Sequence, residues 1–298
     1  MAAARVPSAE LSRVVETLEM IAPRWSVWVL MTLAADEQPL RYSDVRSRLP
    51  WLGDAQLTSR LRGLSEAGLV ERTAVTYRHV SYGLTDRGRA LLPTLHALAA
   101  YGDQHLDKRL VDTTVTKDGK TTVVRLPERI PAAQNAEDTL ALITYKHATT
   151  LLWTLRERGP STLSTLRKVT MPDLTAGAVH SPANRLLEDR LIARTASGGL
   201  EKAGREQVCL TDAARALAPV YQAVAAWASG RPQSDTDDHP LWGTVQLPAA
   251  ARSGQWAAHQ ARNSTRSTTA VAQPAGPMPV KAWRPAELFS SAASGPCR

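Results

Sequence analysis

Residues Tyr42 to Tyr82 constrain this chain more than any other stretch. A short helical pattern, Ser43 to Arg48, stops at Pro50 and Gly53. A second runs from Asp54 to Ala67 and closes at Gly68. Proline lacks the N–H that a helix interior needs, and glycine readily takes the left-handed conformation that ends one. Two extended runs follow, Leu69 to Val75 and His79 to Leu84, separated by Thr76, Tyr77 and Arg78. Helix, turn, helix and hairpin, in that order, is the pattern of a winged helix-turn-helix.

The second helix of that pattern has two unlike faces. Leu57, Leu61 and Leu64 recur at helical spacing and form an apolar back. Ala55, Ser59, Arg62 and Glu66 fall on the opposite face, with Gln56 and Thr58 beside them. Short polar side chains let a helix backbone approach base edges, and an arginine reaches a base or a phosphate. The expected partner is therefore double-stranded DNA. Base contacts fall to Gln56, Thr58, Ser59 and Arg62, and phosphate or minor-groove contacts to Arg78 and Arg41. An ordinary amphipathic surface helix would carry more long Lys and Glu side chains on that front.

Bulk properties narrow the classes. The 298 residues suffice for two ordinary domains and a tail. The net charge of +8 is spread along the chain and is compatible with a nucleic-acid partner. Cys209 and Cys297 are far apart and outside any metal-ligand spacing, which points to a reducing cytoplasm and to no zinc site. The stretch from Met1 to Val15 has no long apolar core of a signal peptide, and no membrane span is expected because no apolar run is long enough. His79, His96, His105, His147 and His180 have no Ser, Cys or carboxylate partner at a catalytic spacing. No enzyme and no cofactor is expected.

In chain order, apolar spacing predicts helices over Leu11 to Ile21 and Trp25 to Ala34, broken by Pro23. Ser43 reads as the N-cap of the third helix. Thr85 reads as the N-cap of one long helix reaching about Leu106, a length that suggests a dimerisation or interdomain surface. Asp118-Gly119 between Thr and Val runs is a two-residue hairpin signal. From Asp138 the first part repeats. An offset of 122 lays Ile143 on Ile21, Leu186 on Leu64 and Arg194 on Arg72. An offset of 126 then lays Leu210-Thr211-Asp212 on Leu84-Thr85-Asp86, which fits a longer second wing tipped at Ser197-Gly198-Gly199. Pro182 stands where Arg60 does, so the second recognition helix is expected to kink or to start at Ser181-Pro182, with DNA contact weaker or absent.

The expected fold is mainly α with small β-hairpins (α+β): two winged helix-turn-helix domains in tandem plus a disordered tail. The boundaries are 1–110 for the first domain, 111–135 for a hairpin linker and 136–230 for the degenerate second domain. Residues 231–298, rich in Pro, Ala, Ser, Gln and Thr, form the tail, with short docking segments expected around the isolated Trp242, Trp256 and Trp283.

The first domain resembles the HxlR-type winged-helix regulators, relatives of the MarR-like group. The resemblance rests on Ile21-Ala22-Pro23-Arg24-Trp25, Arg41-Tyr42-Ser43-Asp44-Val45, Leu57-Thr58-Ser59-Arg60-Leu61, Gly68-Leu69-Val70-Glu71-Arg72 and Tyr82-Gly83-Leu84-Thr85-Asp86-Arg87-Gly88. It implies a cytoplasmic bacterial transcription factor, dimeric through its terminal helices. Many members carry a cysteine near the start of the first helix; Ser12 stands there in this chain. Two fused copies suggest an intramolecular pseudo-dimer in place of a homodimer. An unknown small-molecule effector between the copies is compatible with this plan. The alternative is a winged-helix module that binds a protein or effector without DNA.

Overall fold

The computed structural model describes residues 9–76, 79–117, 120–195, 206–231 and 239–243. Helix α1 (Ala9–Ile21) buries Leu11, Val14, Leu18 and Ile21, the stripe its spacing announces. Trp25 takes a positive φ of 76° and starts α2 (Ser26–Ala34), in which Trp28 is buried. Next come β1 (Leu40–Arg41), α3 (Tyr42–Arg48), α4 (Asp54–Glu66), β2 (Val70–Thr76) and β3 (His79–Leu84). The three strands form an antiparallel sheet in the order β1-β3-β2, with Leu40 opposite Tyr82 and Val70 opposite Leu84. Gly68, at φ 70°, ends the second helix, and the Leu69 N–H reaches back to the Leu64 carbonyl at 2.9 Å.

Two expectations are corrected here. The N-cap of α3 is Arg41, not Ser43, because the Asp44 carboxylate accepts from the Arg41 N–H at 3.1 Å. The helix that Thr85 opens is two helices, α5 (Asp86–Ala90) and α6 (Leu92–His105), which meet at Leu91. Pro93 has no N–H to give to a continuous helix, so it sits in the first turn of a new one. The Thr85 cap itself is present: its hydroxyl accepts from the Gly88 N–H at 3.0 Å.

A two-stranded ribbon follows, β4 (Leu110–Lys117) paired with β5 (Lys120–Pro127). Its register runs to Lys117 opposite Lys120, so Asp118 and Gly119 connect the strands as their sequence suggests. Those two residues, Tyr77-Arg78 at the tip of the first wing and residues 196–205 in the second lie outside the described residues. Leu110 and Val123 on the ribbon are 55% and 68% exposed.

The remaining elements are α7 (Ala132–Thr144), α8 (Ala148–Arg158), β6 (Ser161–Thr162), α9 (Leu163–Thr170), α10 (Ala176–Glu188), β7 (Ile192–Arg194), β8 (Gln207–Leu210), α11 (Asp212–Arg215) and α12 (Ala218–Ala228). Their sheet order, β6-β8-β7, matches that of the first half. His147 (φ 49°) and Arg190 (φ 55°) take positive φ at the places of Trp25 and Gly68. The Thr85 hydroxyl donates to the Gly68 carbonyl at 2.7 Å, and Thr211 does the same to Arg190 at 2.7 Å. Contrary to the expected late start at Ser181-Pro182, α10 begins at Ala176 and runs through Pro182. Pro182 forfeits one backbone hydrogen bond, but its ring is buried on the same face as Val179, Ala183 and Leu186. That apolar face holds the helix together across the missing bond.

The halves pack through helices: α6 on α7, α1 on α12, α6 on α12, and α2 on α7. Gly102 brings α6 close to α7; a Cβ there would lie 2.5 Å from the Asn135 carbonyl oxygen. The Glu137 carboxylate accepts from the Trp25 N–H at 2.6 Å and from the Trp28 indole at 3.1 Å. Burial pushes its pKa up, against these bonds and the charge of Arg24, which pull it down. A carboxyl with a raised folded pKa favours folding at acid pH, and that contribution is lost as pH rises through the folded value. The wild type should therefore lose stability relative to Glu137→Gln as pH rises above the ordinary 4.5. Urea midpoints of both proteins across pH test this; parallel curves would count against it.

Most of the tail lies outside the described residues, but His239 to Gly243 are placed. Trp242, isolated in sequence, is fully buried and stacks on Tyr221 at 4.4 Å, with Trp153 edge-on at 5.7 Å. The Arg156 guanidinium donates to the Leu241 carbonyl at 2.9 Å. Among the described residues no helix is long and apolar enough to cross a membrane.

Candidate nucleic-acid interface

Leu57, Leu61 and Leu64 are 0–2% exposed and fix α4 to the core by its back. Gln56, Thr58, Ser59 and Arg62 are all exposed on its front, as is Arg41 beside it. The structure thus brings five of the six expected contact residues to one surface. The sixth, Arg78, is among the residues not described.

The turn between α3 and α4 is braced by an arginine. Arg46 donates to the carbonyls of Leu49 and Pro50, at 3.2 and 2.9 Å, and pairs with Asp54 at 2.9 Å. Arg48 likewise pairs with Asp36, whose hydrogen bond raises the arginine's pKa against the opposing effect of burial. Among the described residues Arg41 and Arg62 form no ion pair.

Sequence reasoning missed Tyr42. Its hydroxyl donates to Asp54 at 3.1 Å and accepts from Thr58 at 3.4 Å. Thr58, Tyr42, Asp54 and Arg46 form one connected chain that fixes the first turn of α4. The only sequence signal was a tyrosine at the start of α3, twelve residues before Asp54, and no helical periodicity links the two.

The structure also holds an open cavity of about 940 Å³ between the halves. Arg13 and Glu16 of α1, Arg87 of α5 and Trp227 of α12 line it. The Trp227 indole donates to the Arg87 carbonyl at 3.0 Å, and the Arg87 guanidinium lies 4.8 Å from the Trp227 ring centroid.

A model of the HxlR-like helix-turn-helix family matches residues 20–110, which include α2 to α6 and the whole braced turn. The HTH-type transcriptional regulator YdzF of Bacillus subtilis is 31% identical over 88 residues, 29% of this chain and 80% of that protein. The chain belongs to the HxlR-like helix-turn-helix family. A second family relative, the HTH-type regulator YvaP of Bacillus subtilis, is 28% identical over 33% of this chain and 90% of its own length. The HTH-type regulator BH0655 of Halalkalibacterium halodurans is 33% identical over 29% of this chain and 77% of its own length. No solved structure matches the chain. The HxlR-like match ends at the start of the ribbon, so it bears on the first half alone.

Proposed function

We propose that this protein is a sequence-specific double-stranded DNA-binding transcriptional regulator of the cytoplasm. Residues 1–110 form the reading domain, with α4 in the major groove. The carrying observation is the exposed front of Gln56, Thr58, Ser59 and Arg62 over a buried leucine back, on a turn that Arg46 holds rigid. Gln56, Thr58, Ser59 and Arg62 touch base edges; Arg41 and Arg78 touch phosphate or the minor groove.

Residues 111–135 link this domain to residues 136–230, a degenerate second copy that serves as an intramolecular dimer partner. The packing supports this reading, because it is reciprocal. At the offset of the repeat α7 is the counterpart of α1, and α12 of α6. Each half thus lays its first helix against the other's last. An effector, whose chemistry no residue pattern names, has room in the cavity beside α1 and α12.

Three measurements test the reading. Retention of particular genomic fragments against unrelated competitor duplex is expected. Arg62→Ala should cost about 1–3 kcal/mol and relax one base position if Arg62 reads a base. If it touches only phosphate, affinity should fall evenly across sequences and the salt slope should shrink by about one. No change in either quantity would remove Arg62 from the interface. Light scattering should give a monomer. An obligate homodimer with first-domain helices exchanged between chains would refute the intramolecular arrangement.

A further inference from the structure

Pro182, expected to make α10 start late, does not shorten it. Pro182 points its ring inward, and α10 keeps its first turns. The helix spans Ala176–Glu188, which is the span of α4, Asp54–Glu66, displaced by the repeat offset of 122. Its outward residues, Gly177, His180, Ser181, Asn184 and Arg185, are all exposed. No acidic residue occurs in it before Glu188. The turn ahead of it is braced as in the first half: Arg167 donates to the Leu174 carbonyl at 3.0 Å, much as Arg46 does to Leu49 and Pro50.

Gly177 supplies an independent observation. Glycine inside a helix costs about 0.5–1 kcal/mol relative to alanine. Among the described residues a Cβ at Gly177 would meet nothing within 4 Å, so no packing among them requires a glycine there. A bare backbone on an exposed, acid-free first turn suits the close approach of something outside the chain.

We propose that α10 is a second DNA-reading helix, and that it reads a different half-site from α4. This rests on the DNA-binding function proposed above. The difference follows from the residues in register. Asn184 stands where α4 carries Arg62, His180 where it carries Thr58, and Ser181 where it carries Ser59. Arginine pairs in two-point fashion with guanine, whereas asparagine does so with adenine. A homodimer presents the same helix twice and so favours a palindrome. This chain presents two unlike helices, and its operator is two dissimilar half-sites at fixed spacing.

Selection of the full-length protein on a random duplex library tests this, with Asn184→Ala, Gly177→Ala and Arg62→Ala selected in parallel. The wild type should enrich two unlike half-sites. Asn184→Ala should relax one position of one half-site and weaken binding roughly 5- to 150-fold. Arg62→Ala should affect only the other half-site. Gly177→Ala should weaken binding while leaving the melting temperature equal or higher, which a merely structural glycine would not do. Enrichment of a single half-site, unaltered by Asn184→Ala and Gly177→Ala, would overturn the second reader and leave the first intact. A palindrome of identical half-sites would overturn it as well. Enrichment of no duplex at all would sink the DNA-binding function itself.

Discussion

Leu61→Ala is expected to destabilise the fold by about 2–5 kcal/mol, the cost of emptying a fully buried leucine site. Leu61 is 1% exposed between Leu57 and Leu64, and these three residues connect α4 to the core. The melting temperature should fall by roughly 4–20 °C for a folded region of this size. Its neighbour Arg62 is exposed, so Arg62→Ala should leave the melting temperature within about a degree while weakening DNA binding. Adjacent residues would thus separate scaffold from reading surface. A Leu61→Ala protein that melts like the wild type would show that α4 is not held by its leucine back.

The second large effect lies between the halves. Gly102→Val should cost about 3 kcal/mol, near the upper end for overpacking a close contact. Even a Cβ at Gly102 would lie 2.5 Å from the Asn135 carbonyl and 2.8 Å from the Thr139 hydroxyl. The first of these is backbone, which cannot rotate away, so α6 and α7 must part. Calorimetry should show a lower melting temperature or a transition split in two. DNA affinity should fall with it, because the helices that orient the two halves have shifted. A single unshifted transition would mean that the crossing gives way at little cost.

Local signals made much of the first half legible. The three- and four-residue spacing of Leu57, Leu61 and Leu64, closed by Gly68, specified α4 almost to its ends. The Thr and Val runs on either side of Asp118-Gly119 marked the two ribbon strands, and Thr85 the cap of α5. What escaped was set by long-range packing or by competition between signals. The apolar stripe runs on from α5 to α6, and hid the break that Pro93 imposes at Leu91. Proline's usual penalty suggested a shortened α10, because the buried face formed by Val179, Ala183 and Leu186 is visible only in three dimensions. A docking segment around Trp242 is legible in its isolation, but its stacking partner Tyr221, in α12, is not. Likewise, nothing in sequence pairs Glu137 with Trp25, 112 residues earlier.

Reciprocal packing of α1 on α12 and α6 on α7 within a single chain changes the arithmetic of occupancy. A homodimer thins into monomers when scarce, and its promoter occupancy then scales with the square of protein abundance. In the intramolecular arrangement proposed above, the partner surface is tethered, at an effective concentration far above that of any transcription factor in a cell. Titration should stay hyperbolic down to a few molecules per cell, so the regulated gene would feel each newly made chain in simple proportion.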